Sequence, residues 1–158
     1  MIRRLAQNYF SITVEIETPP PPVWGVMTDV ECWPEWTQSV SRVVRLSSGP
    51  LEVGRRVRIH QPKLPRAFWC VTELTPGASF TWVSVVPGVR VTARHTVDAI
   101  ASGSRVTLSI QYQGLLGPLL ARWTRHLNER YLAMEAHGLK TRCADLAASH
   151  ICEKHEPY

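Results

Sequence analysis

The chain has 158 residues, 44% of them hydrophobic and 20% charged, with a formal net charge of +5. This supplies enough apolar material for one domain with its own core. No run of about 18 apolar residues crosses a membrane, and the cations are scattered rather than massed as nucleic-acid binding requires. Met1, Ile2, Arg3 and Arg4 have no apolar run behind them, so no signal peptide is expected. Cys32, Cys70, Cys143 and Cys152 show no paired spacing and are read as reduced thiols of a cytoplasmic protein.

Residues 9–17 alternate, with Phe10, Ile12, Val14 and Ile16 on one face, which predicts a half-buried strand. Pro19 to Pro22 end it, and Thr18 is a candidate cap for a short helix over residues 23–29. A turn or second short helix follows over 29–36, carrying Trp33 and Trp36, with Pro34 blocking continuation of the first. Strands are predicted over 40–46, 56–61, 68–74, 79–86, 91–100 and 105–113, separated by Gly, Pro and Ser turns. Such spacing implies an antiparallel meander, seven strands with the first.

The last long stretch, residues 116–149, predicts a single helix of about 50 Å. Leu116, Leu119, Leu120, Trp123, Leu127, Tyr131 and Met134 recur at steps of three and four, and this stripe is expected to face the sheet. A second apolar set, Leu132, Ala136, Leu139, Cys143 and Leu146, sits round the helix from the first, with Gly138 marking either a bend or a helix covered on both sides. The last residues, from about 150, are expected to fray. One long amphipathic helix and a run of strands imply a curved sheet with the helix across its concave side, an α+β domain.

The order of elements resembles the helix-grip fold of the START-related (SRPBCC) superfamily. Within it the chain is similar to the polyketide cyclase/dehydrase-like family of small bacterial proteins. The resemblance is carried by Pro22-Val23-Trp24-Gly25-Val26-Met27-Thr28-Asp29 with Trp33-Pro34-Glu35-Trp36, by Gly54-Arg55-Arg56-Val57-Arg58-Ile59, and by Trp69-Cys70-Val71-Thr72-Glu73-Leu74-Thr75-Pro76-Gly77 before Phe80-Thr81-Trp82. His95, Ser104-Arg105-Val106-Thr107-Leu108 and Gly114 complete it. It implies a seven-stranded antiparallel sheet curved around the long helix, with two short helices between strands 1 and 2. Proteins of this kind include lipid and hormone carriers, polyketide aromatases and quinone-binding chaperones.

A sheet wrapped round a helix leaves a tapering apolar space with a few polar groups. Trp82, His95 and Tyr112 share a face with apolar neighbours, and Trp123, Leu127 and Met134 are expected to meet them from the helix. Trp33 and Trp36 are placed near the mouth. These positions also suit plain core packing, which periodicity does not separate from lining a cavity. Arg58 and Arg94 fall on the outer face unless a bulge shifts the register. His150, Cys152 and His155 have metal-ligand chemistry but no fourth partner nearby. No phosphate loop, nucleophile elbow or zinc-protease motif is present, and no metal or cofactor is expected. Two functions follow. The first is binding of a small hydrophobic or amphipathic molecule (lipid, polyketide, quinone or aromatic metabolite), without nucleic-acid or integral-membrane partners and with a homodimer left open. The second is a cyclase, aromatase or dehydratase using His95 as acid or base and Tyr112 to polarise a carbonyl.

Overall fold

The computed structural model describes residues 8–153, with side chains through Ser149. One seven-stranded antiparallel sheet runs β1-β7-β6-β5-β4-β3-β2. Its strands are β1 (Tyr9–Ile16), β2 (Arg42–Arg45), β3 (Arg56–His60), β4 (Ala67–Thr75), β5 (Ser79–Val86), β6 (Val89–Ile100) and β7 (Gly103–Gln113). Between β1 and β2 lie α1 (Pro20–Thr28), a single 3-10 turn (Val30–Cys32) and α2 (Trp33–Trp36); α3 (Gly117–Glu153) follows β7. This is the helix-grip arrangement, and each expected strand is present with its ends moved by a few residues.

The meander follows from local chemistry. Sequential strands pair through short turns, and only β1 must travel, closing against β7 in register from Tyr9–Gln111 to Ile16–Ser104. At the β5–β6 hairpin Pro87 presets φ and Gly88 supplies a φ of 77°, the backbone a two-residue turn with positive φ at its second position demands. Val57 and Ile59 of β3 point inward and are buried, so Arg58 and His60 stay on the outer face. Arg94 also stays outside, 3.8 Å from Glu73. The register shift in the sheet falls between Val71 and Glu73 on β4, and moves neither arginine inward.

Two local expectations are corrected. Thr18 does not cap α1; Pro19 is the N-cap residue without a side-chain bond, and the prolines themselves form the first turn. The Thr18 carbonyl instead accepts from Ser104 Oγ at 2.6 Å. The second correction is the face of α3. Ala121, Asn128, Leu132, Ala136, Leu139 and Cys143 are buried, and of the expected stripe only Tyr131 is buried with them and Leu120 packs, partly buried, against the core, while Leu116 and Leu119 are each 50% exposed and Trp123 is 78% exposed. Both sets repeat with helical spacing, but the buried one contains the small residues. A Cβ on Gly138 would stand 2.0 Å from the Trp36 carbonyl oxygen, so α3 passes α2 in near-backbone contact. Gly138 therefore marks close packing within one continuous helix. The side chains of His150, Cys152 and His155, and the end of the expected frayed tail, lie outside the described residues.

Candidate functional site

Between the sheet and α3 is a cavity of about 250 Å³. Period-two alternation puts Phe80, Trp82 and Ser84 of β5 on the inward face, where Trp82 and Ser84 border the cavity and Phe80 is fully buried behind it. Across the β5–β6 ladder Ala93 stands opposite Trp82 and His95 opposite Phe80. Across β6–β7, Tyr112 is opposite Val91 and Leu108 opposite His95. Trp69 enters from β4, Trp33 from α2, and Thr124, Asn128, Tyr131, Leu132 and Glu135 from α3. The cavity reaches the surface between the loop before β4, the end of β5 and the first turns of α3, where Phe68, Val85 and Val86 are half or more exposed.

The inner end is aromatic. The His95 ring stacks on Phe80 with centroids 4.4 Å apart and planes 7° from parallel. Trp33 and Trp82 stand 5.5 Å and 5.6 Å from it. This enclosure strips water from the imidazole and lowers its pKa from 6.5 to about 3, so His95 is neutral at physiological pH. A proton-transfer group at its ordinary pKa is therefore not what the fold makes of His95. Its Nδ1 is buried without a hydrogen-bond partner, as is Trp69 Nε1.

The α3 side carries the polar groups. The Tyr112 hydroxyl donates to Asn128 Oδ1 at 2.9 Å, Asn128 Nδ2 donates to Thr124 Oγ1 at 3.0 Å, and Thr124 Oγ1 donates to the Leu120 carbonyl at 2.8 Å. Burial raises the Tyr112 pKa, so the phenol keeps its proton. Further along, Ser39 Oγ donates to Glu135 Oε1 at 3.1 Å, and Ser39 is paired with Thr37 at 2.9 Å. Desolvation lifts Glu135 from 4.5 to about 7 against the opposing Ser39 bond. Tyr131 ties α3 to the loop before β4 by donating to the Pro62 carbonyl.

Of the expected lining residues, Trp82, His95, Tyr112 and Trp33 border this cavity. Trp33 is at its closed inner end rather than the mouth, with Nε1 donating to the Met27 carbonyl at 3.1 Å. Trp36 lies beyond it, in a groove between α1, α2 and the later turns of α3. Trp123, Leu127 and Met134 do not border the cavity, because α3 is turned to put its smaller residues on the sheet. Sequence reasoning misses Asn128, Thr124 and Glu135 for the same reason. They sit at helical spacing with Ala121, Leu132 and Leu139, and polar residues on that second stripe are the signal that could have found them. It also passes over Trp69, although that residue alternates with Val71 on β4. Cys32 and Cys143, both free, flank the Trp36 groove. Each thiol is pushed up to about 11, Cys32 by its hydrogen bond to Asp29 and Cys143 by burial, so neither is a ready nucleophile. Among the described residues no cluster of His, Cys, Asp or Glu is placed to hold a metal, and no helix is long and apolar enough to cross a membrane.

A wrapped sheet, a gripping helix and an apolar hollow with polar groups on the helix side define a START-like protein. The chain belongs to the family described as polyketide cyclase / dehydrase and lipid transport, whose pattern it matches over residues 9–144. Solved structures agree on the fold. An aromatase/cyclase, Zhui, from Streptomyces sp. R1128 superposes with a TM-score of 0.69 at 17% identity, covering 91% of this chain and 94% of that one. A START superfamily protein from Mycobacterium smegmatis gives 0.68 at 14% identity, covering 88% and 99%. A hypothetical protein from Helicobacter pylori gives 0.74 at 14% identity, covering 87% and 89%. At such identities the likeness establishes the fold alone. No curated protein matches the chain.

Proposed function

We propose that this protein binds one small amphipathic molecule, aromatic or alicyclic with an oxygen at its buried end, between the sheet and α3. The observation that carries this reading is one apolar cavity bordered by Trp69 and His95, two residues whose ring nitrogens, Nε1 and Nδ1, are buried without protein partners. Such atoms cost about 1–3 kcal/mol each unless something pairs with them. A ligand carbonyl or hydroxyl satisfies the indole N–H, and a hydroxyl also satisfies the imidazole. The cavity volume of about 250 Å³ lies just under the usual range of ~300–1,000 Å³ for ligand pockets, which suits a ring system better than a two-chain lipid. Affinity then comes from apolar area at about 25 cal/mol per Å², with the polar atoms fixing orientation. Carriage is favoured over chemistry because His95 is held neutral and the Tyr112 proton is committed to Asn128.

A second reading rests on Glu135. A carboxyl group with a pKa of about 7 beside a cavity can give and take protons at neutral pH. In a cyclase or dehydratase acting on a poly-β-carbonyl chain, Glu135 rather than His95 would carry the proton.

Displacement of N-phenyl-1-naphthylamine separates these ideas from plain core packing. In the binding reading 1-naphthol displaces the probe at roughly tenfold lower concentration than naphthalene, the worth of one buried hydrogen bond. That preference shrinks in Trp69→Phe. Equal displacement by both compounds, or no probe binding, overturns it. Turnover of a poly-β-carbonyl substrate that Glu135→Gln abolishes selects the enzymatic reading.

A further inference from the structure

We infer that the rim of the cavity is a docking surface for an anionic lipid bilayer, so that the mouth opens against the membrane. The rim carries apolar side chains that the fold leaves uncovered. Leu115 is 97% exposed, Trp123 78%, Val85 65%, Val86 52%, and Leu116 and Leu119 are each 50% exposed. They form one surface. Leu116, Leu119 and Trp123 recur at helical steps beside Leu120, which lines the cavity. The Leu116 amide donates to the Gly88 carbonyl at 3.0 Å, which fastens the start of α3 to the β5–β6 hairpin that carries Val85 and Val86. A Cβ on Gly88 would stand 3.0 Å from the Leu116 side chain, so hairpin and helix are in direct contact there.

Charge selects the partner. Three segments border the mouth: residues 61–68, 85–90 and 115–126. Together they hold Lys63, Arg66, Arg90, Arg122 and Arg125 and not one aspartate or glutamate. Elsewhere the chain is mixed, with all thirteen acidic residues outside these segments. An exposed tryptophan flanked by leucines and arginines matches the layering of a bilayer surface, with the indole at headgroup depth and guanidinium groups on phosphates. A second copy of this chain would bring the same five cations together, which disfavours self-association through this face. A purely soluble acidic partner accounts for the cations but leaves the width of the apolar surface unexplained.

The test is sedimentation with vesicles of phosphatidylcholine alone and of phosphatidylcholine with 30% phosphatidylglycerol, at physiological salt. The expected result is at least tenfold stronger partition onto the anionic vesicles. Each of Arg90→Ala and Arg122→Ala should weaken it by roughly fivefold, and Trp123→Glu by tenfold or more. Equal partition onto both vesicles, or undiminished binding of Trp123→Glu, overturns the inference. So does full competition by soluble polyglutamate, which would point to an acidic protein, or a dimer on size exclusion that Trp123→Glu splits. Arg90, Arg122 and Trp123 do not line the cavity, so N-phenyl-1-naphthylamine binding by Trp123→Glu should stay at the wild-type level. Cavity and membrane readings can therefore fail separately.

Discussion

Replacing Glu135 by Gln should make the protein more stable, and only at higher pH. The carboxyl group is desolvated beside the cavity, and its pKa is raised from 4.5 to about 7. The folded state therefore holds a proton that the unfolded chain has released between those values. Stability falls as pH rises through that window, and the loss is complete above the folded pKa. A tenfold difference in proton affinity between the two states is worth about 1.4 kcal/mol, so the loss is at most about 3.5 kcal/mol. Gln reproduces the protonated side chain in size, and its oxygen can still accept from Ser39. The variant should match the wild type near pH 4.5 and exceed it by up to about 3.5 kcal/mol at pH 8. His95 contributes an opposite slope, because its pKa falls from 6.5 to about 3 and stability is lost as pH drops through that range. That contribution is common to both proteins and cancels in the difference. Urea unfolding at pH 4.5, 6 and 8 reads the effect directly. A constant offset between the two proteins across this range would refute the reasoning, since it would mean that Glu135 titrates alike folded and unfolded.

Three other outcomes follow. The His95 imidazole should remain neutral down to about pH 4 when followed by NMR of its ring protons; a midpoint near 6.5 would show that the aromatic enclosure is open to water. Tyr112→Phe removes the donor to Asn128 Oδ1 and should cost about 1–2 kcal/mol in urea unfolding, while an unchanged midpoint would mean the bond is replaced by solvent. Gly138→Ala drives a methyl group against the Trp36 carbonyl and should cost several kcal/mol, lowering the thermal midpoint by about 5 °C or more; an unchanged midpoint would show that α2 is free to move away.

How much of the molecule is legible in the sequence depends on the kind of signal. The strands are readable because Val, Ile and Thr alternate between Gly and Pro punctuation, and period two leaves little choice of inward face. That alternation places Val57, Ile59, Trp82 and Tyr112 inward, and Arg58 and Arg94 outward unless a bulge intervenes. The long helix is equally plain, but its orientation is not. Two apolar stripes compete on α3, and hydrophobic weight favours the one with Leu116, Leu119 and Trp123. The fold buries the other, keeping only Leu120 and Tyr131 of the first on the inner side, because Gly138 and Ala121 let α3 approach its neighbours where Trp123 could not. That single rotation hides Asn128 and Glu135 from the pattern and misplaces Trp123, Leu127 and Met134. His95 stands out as a candidate in the sequence, yet its chemistry comes from neighbours distant along the chain, Trp33 and Phe80, which strip it of water. Exposure has the same origin: a stripe that reads as core becomes the uncovered rim of the mouth.

If the space between sheet and α3 is a binding site rather than a packing defect, filling it must abolish binding. The most direct measurement is a titration of N-phenyl-1-naphthylamine into the wild type and into Ala93→Trp, which fills the cavity from the middle of β6. One saturable site is expected in the wild type and at least tenfold weaker binding in the variant, with urea unfolding changed by no more than about 3 kcal/mol. Equal affinity in the two proteins, with Ala93→Trp folded, would place the probe elsewhere and contradict the account.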